Sequence, residues 1–122
     1  MGNKFDLIEE CIMNKEQIYA AQKNMIDWLY DSRELGKNPW KIEYVDTFLL
    51  YGMQYYIFRF KTNLFGQWLL GVSGGFEKDS LEPCGHTFSN MQKYDVSTAR
   101  DDSIQMIEQI REYWMEQAKK FD

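Results

Sequence analysis

The sequence predicts an α+β fold: a single small domain with a three- to four-stranded antiparallel sheet, in the order α-β-β-β-(β)-α. Its N- and C-terminal helices are expected to pack on one face of that sheet. Three observations predict this. Apolar residues recur at helical spacing near both ends of the chain. They alternate along three consecutive segments in the middle, and the breaks between those segments are short and carry glycine. No internal repeat, low-complexity tract or linker interrupts the chain, so residues 1–122 read as one domain, long enough to bury one core.

The first helix is expected over residues 16–34, where Ile18, Ala21, Met25 and Leu29 form a wide apolar stripe with Tyr19, Ile26 and Tyr30 beside it. Phe5, Ile8 and Ile12 suggest an earlier turn or two leading into it. The stop signal is "ELGKNPW": Gly36 stands where a left-handed C-cap residue belongs, and Pro39 follows. Three strands come next. "WKIEYVDTFLLYG" places Trp40, Ile42, Tyr44, Phe48 and Leu50 on one face. "MQYYIFRFK" sets Tyr56, Phe58 and Phe60 against Tyr55, Ile57, Arg59 and Lys61. "QWLLGVS" sets Trp68, Leu70 and Val72 against Leu69, Gly71 and Ser73. The breaks at Tyr51-Gly52 and "TNLFG" suit hairpins, which makes the sheet a meander. A closing helix is expected in "DVSTARDDSIQMIEQIREYWMEQAKKF", capped by Asp95, Ser97 or Thr98. Asp101 and Asp102 sit in its first turn, and Lys119 and Lys120 in its last. Ile104, Ile107, Ile110, Trp114, Ala118 and Phe121 are its expected buried stripe.

Composition narrows the function classes. Hydrophobic residues make up 44% of the chain, aromatics 16% and charged residues 27%, the profile of a folded globular protein rich in rings. No run approaches the roughly 20 apolar residues that cross a bilayer. The start, "MGNKFDLIEECIMNKEQ", has no signal-peptide apolar region, so a cytoplasmic protein without membrane contact is expected. Cys11 and Cys84 lie far apart and are expected to be reduced thiols. Net charge is −5, from 14 basic and 19 acidic residues. Phosphate backbones are met by clustered Lys and Arg, and no such run occurs, so nucleic acid is not an expected partner. The acidic residues instead recur as Asp27, Asp31 and Glu34, then Asp101-Asp102, then Glu108, Glu112 and Glu116. They suit a solvated helix face, or an acidic surface facing a basic protein.

The segment "GVSGGFEKDSLEPCGHTFS", residues 71–89, carries the only histidine and one of the two cysteines among four glycines and a proline. Gly71, Gly74 and Gly75 match no phosphate-binding pattern, and the residues after them open no helix. They read as a bulge or a close backbone approach. In an extended "CGHTFS", Cys84 and His86 share a side about 6.6 Å apart, long for a nucleophile–base contact. A catalytic site is therefore not assigned, with Cys84 and His86 as the weak candidates. One His and two Cys are too few for a zinc or di-iron set, so no metal and no cofactor are expected.

One feature points outward. If the helices cover the face of Trp40, Ile42, Tyr44, Phe48, Tyr56, Phe58, Phe60, Trp68 and Leu70, the opposite face exposes Leu49, Tyr51, Tyr55, Ile57, Arg59 and Leu69. A solvated face should be mostly polar, so this one is expected to be covered: by residues 76–95 folding back, by a partner, or by a second copy in a homodimer. In general makeup the chain is similar to bacterial immunity and inhibitor proteins, which are small, acidic and aromatic-rich α+β domains. The expected function is thus a non-enzymatic protein-binding module of immunity or inhibitor type acting on a basic partner protein. The alternative is a small thiol-dependent enzyme or small-ligand-binding domain centred on Cys84 and His86.

Overall fold

The computed structural model describes residues 14–31, 36–83 and 87–120. They form helix α1 (Lys15–Asp31), strands β1 (Lys41–Leu50), β2 (Met53–Lys61) and β3 (Leu69–Phe76), and helix α2 (Ala99–Lys119). The sheet is antiparallel in the order β1-β2-β3. This is the α+β meander that the alternation predicts. The β1–β2 hairpin closes in two residues, Tyr51 (φ 53°) and Gly52 (φ 77°). Positive φ at both central positions is the turn that matches the right-handed twist of paired strands.

The expectation that both helices lie on one face needs correction: they flank the sheet. Tyr56, Phe58 and Phe60 of β2 pack with Ala21, Met25 and Leu29 of α1. Tyr55 and Ile57, which point the other way, pack with Ala99, Met106 and Ile107 of α2. Two features of the sheet account for the difference. The β1–β2 register slips between Tyr44 and Asp46, which shifts the two-residue period of β1 by one. Tyr44 therefore stays on the α1 side, while Phe48 and Leu50 join the α2 side. In β3, Leu69 stands opposite Phe60 and Gly71 opposite Phe58, so Leu69 belongs to the α1 face, and Leu70 and Val72 to the α2 face. With both faces covered, β2 is buried nearly throughout, which is why it reads as an almost unbroken apolar run.

Glycine permits the close approach of α1. A Cβ on Gly71 would meet Met25 Sδ at 2.8 Å, so the helix seats its methionine directly on the strand backbone. Gly36 has φ 63°, the left-handed conformation predicted for it. The stripe of α1 is also as predicted, with Ala21, Met25 and Leu29 buried, and Gln17 is added to it. Gln17 is buried yet fully engaged. Its amide donates to the carbonyls of Glu77 (3.0 Å) and Ser80 (2.7 Å), and its carbonyl accepts from Tyr56 Oη (2.7 Å). That triangle ties the start of α1 to β2 and to the loop after β3.

Beyond β3 the chain turns back along the sheet edge. Phe88 exchanges backbone hydrogen bonds with Val72 (2.8 and 2.9 Å), Leu70 N–H donates to Gln92 O (3.0 Å), and Tyr94 N–H donates to Trp68 O (2.8 Å). Residues 87–94 thus run along β3 through two isolated bridges and cover an otherwise bare edge of the three-stranded sheet. Thr98 is the N-cap of α2, although its hydroxyl donates to Asp102 Oδ2 (2.9 Å) and caps no backbone N–H. No described helix is long and apolar enough to cross a membrane.

Candidate functional site

The residues singled out in sequence are separated by the fold. Tyr55 is 3% exposed and Ile57 fully buried, both beneath α2, so neither lies on an open surface of this fold. Burial pushes the Tyr55 phenol above its ordinary pKa. Leu69 packs against the α1 cluster and Arg59 pairs with Glu43 (2.8 Å). Leu49 and Tyr51 remain more than half exposed. Tyr51 is held by the chain itself, with Arg111 Cζ 3.8 Å from its ring centre and its hydroxyl donating to Glu108 (3.4 Å). The cover expected of a homodimer is supplied by α2, and residues 87–94 lie beside the sheet at its edge. Cys84, His86 and Cys11 fall outside the described residues. Among the described residues no group of three or more His, Cys, Asp and Glu could hold a metal ion.

What the fold builds instead is a groove on the far half of α2. The helix has 21 residues, about 31 Å at 1.5 Å per residue. Its buried residues, Ala99, Ser103, Met106 and Ile107, all belong to the first half. The predicted stripe therefore continues past its cover: Trp114 is 58% exposed and Tyr113 57%, with Met115 beside them. Against this overhang stand Trp28 of α1 and Phe88 of the edge segment, their rings edge-on at 5.9 Å. Phe88 is pinned by its backbone pairing to Val72, and its neighbour Thr87 by a 3.0 Å hydroxyl contact with Ser73.

Trp28, Thr87, Phe88, Met106, Gln109, Ile110, Tyr113 and Trp114 line an open groove of about 580 Å³. Its α2 wall follows positions 106, 109–110 and 113–114, the spacing of one helical face over three turns. Tyr113 and Trp114 brace one another edge to face at 5.4 Å. Acidic residues flank this wall, Glu112 and Glu116 on the Gln109–Tyr113 side of the helix, and Asp27 and Asp31 are near Trp28 in the sequence of α1. Glu116 is met by Lys119 at 3.8 Å, both about 70% exposed, a pair worth little in water. Asp27, Asp31 and Glu112 have no ion pair among the described residues.

Sequence reading placed Trp114 in the core because its spacing matches Ile107 and Ile110. The signal that separates it was present: three large apolar residues in a row, Tyr113-Trp114-Met115, cannot all face one core from a helix. Comparison with protein-family models, with curated proteins and with solved structures finds no match for this chain.

Proposed function

We propose that the protein is a non-enzymatic binding module of immunity or inhibitor type that engages a basic partner protein through the groove beside α2. The observation that carries this reading is an aromatic pair more than half exposed, Tyr113 and Trp114, lining a groove on a helix that also carries the exposed carboxylates Glu112 and Glu116. Contiguous exposed apolar surface rimmed by polar groups marks interaction sites, and Trp and Tyr dominate binding energy where they seat in pockets. The acidic border and the net charge of −5 select a basic partner and hasten its encounter. The helical spacing of the wall suits an amphipathic helix laid along the groove.

A second reading has one observation in its favour. A groove of about 580 Å³ lies within the range of small-ligand sites, and Thr87, next in sequence to His86, lines it. Such sites bury most of their ligand, whereas this wall is built of side chains largely open to solvent, which favours the protein partner.

The test uses two baits, wild type and Tyr113→Ala/Trp114→Ala, on an extract of the source cell at low and at high salt. The expected result is a basic protein retained by the wild type at low salt, weakened by salt and lost by the variant. Identical retention by both baits would refute the groove.

A further inference from the structure

The end of the sheet that α2 leaves bare gathers three cations around one ring. α2 begins beside Asp46, which accepts from Arg100 at 2.8 Å, and runs toward the β1–β2 hairpin, where Arg111 stacks on Tyr51. At the opposite end of the same face, Arg59 Cζ lies 4.3 Å, Lys61 Nζ 4.8 Å and Lys41 Nζ 5.9 Å from the centre of the Trp68 ring. Among the described residues one carboxylate, Glu43, pairs with them. It accepts from Arg59 Nε (3.2 Å) and Nη2 (2.8 Å), and Lys41 approaches its other oxygen at 3.4 Å.

Folding alone does not account for this arrangement. Lys41 and Lys61 are direct cross-strand partners, and like charges opposite one another weaken a sheet. Both ammonium groups could swing into water, yet both are held against the same indole, whose face attracts cations. Arg59 is committed to Glu43, so the excess positive charge rests on the two lysines. An acidic chain has gathered cations at one spot and left them short of counter-charge.

We propose that Lys41 and Lys61, above Trp68, form a site for a phosphomonoester dianion. Lysine acts as a point charge toward phosphate, so two heads near one ring can both reach a single tetrahedral group. Arg59 and Glu43 brace the indole from the strand side. The patch is compact and the chain as a whole carries a net charge of −5, which disfavours a long polyanion. The group arrives on a free phosphate ester or on a phosphorylated side chain. This site lies apart from the groove and does not depend on it.

The test is titration of the isotopically labelled full chain with glycerol phosphate and with a phosphoserine peptide, ionic strength being held constant with chloride. Saturating shifts are expected at the Trp68 indole and at the amides of Lys41 and Lys61. Lys41→Gln/Lys61→Gln should keep the folded spectrum and bind at least about tenfold more weakly, two charge-assisted contacts being lost. Lys41→Arg/Lys61→Arg should retain binding. Tighter binding of the peptide would assign a phosphorylated protein as the source, and equal binding a free ester. Shifts reproduced by chloride alone, or undiminished in the Gln variant, would overturn the site. So would an oligonucleotide that binds more tightly than either monoester.

Discussion

Ile57→Asp separates the observed fold from one with both helices on the other face. Ile57 is fully buried in the middle strand, packed beneath Met106 and Ile107 of α2. Removing its side chain from the interior forfeits about 1.5–3 kcal/mol of burial. The carboxyl that replaces it finds no partner there, which costs about 1–3 kcal/mol more even when it is protonated. The combined loss, roughly 3–6 kcal/mol, is a large share of the ~5–15 kcal/mol that stabilises a domain of this size. With a urea dependence of about 1–3 kcal/mol per molar, the unfolding midpoint should fall by about 2 M or the chain should fail to fold. Leu49→Asp is the control. Leu49 is 53% exposed, so its loss should stay near 1 kcal/mol or below. Urea titrations followed by circular dichroism read both. An Ile57→Asp protein with the wild-type midpoint would refute the packing of α2 on this face.

Other outcomes follow from the same structure. Gln17→Leu removes the side-chain donor to the Ser80 carbonyl, one of the two donors to the Glu77 carbonyl, and the acceptor of Tyr56 Oη. It should cost about 1–3 kcal/mol, and hydrogen exchange should quicken in residues 77–83 more than in β1. Gly74 has φ 139°, and a Cβ there would stand 2.8 Å from the backbone oxygen of Gln54. Gly74→Ala should therefore lower the melting temperature through a loss of about 1–3 kcal/mol, more than Gly52→Ala, whose Cβ meets open space. The Arg59 hydrogen bond holds the Glu43 carboxyl below its usual pKa of 4.5. A depressed pKa contributes stability that is whole above pH 4.5 and lost as pH falls through the lowered value. Glu43→Gln should accordingly show a flatter acid limb in urea titrations below that pH, and an unchanged limb would remove the pair from the account.

Local chemistry was the legible part of this fold. Three strands, two hairpin breaks and two helices follow from period, glycine placement and caps, because each is decided within a few residues of chain. The faces were not legible, because they depend on register. A bulge between Tyr44 and Asp46 and the pairing of Leu69 with Phe60 are settled by tertiary packing, and each reassigns half a strand. Tyr55 and Ile57 consequently moved from an expected surface to the core. The groove was hidden for a related reason: Trp114 continues the stripe of Ile107 and Ile110, and only the reach of the sheet decides where that stripe leaves its cover. The cations around Trp68 come from two strands, β1 and β2, and the ring from the residue before β3, so no local pattern announces them.

The central claim is that the groove beside α2 takes a basic amphipathic partner. Its most direct measurement is a nuclear magnetic resonance titration of the labelled protein with a helical peptide bearing leucines on one face and lysines on the other, and with its lysine-to-glutamate counterpart. The account predicts saturating shifts of the Trp28 and Trp114 indoles and of the Phe88 and Ile110 amides with the basic peptide. Those shifts should weaken as salt rises and vanish with the acidic peptide. Equal responses to both peptides, or shifts confined to residues away from Trp28, Phe88 and Trp114, would contradict it.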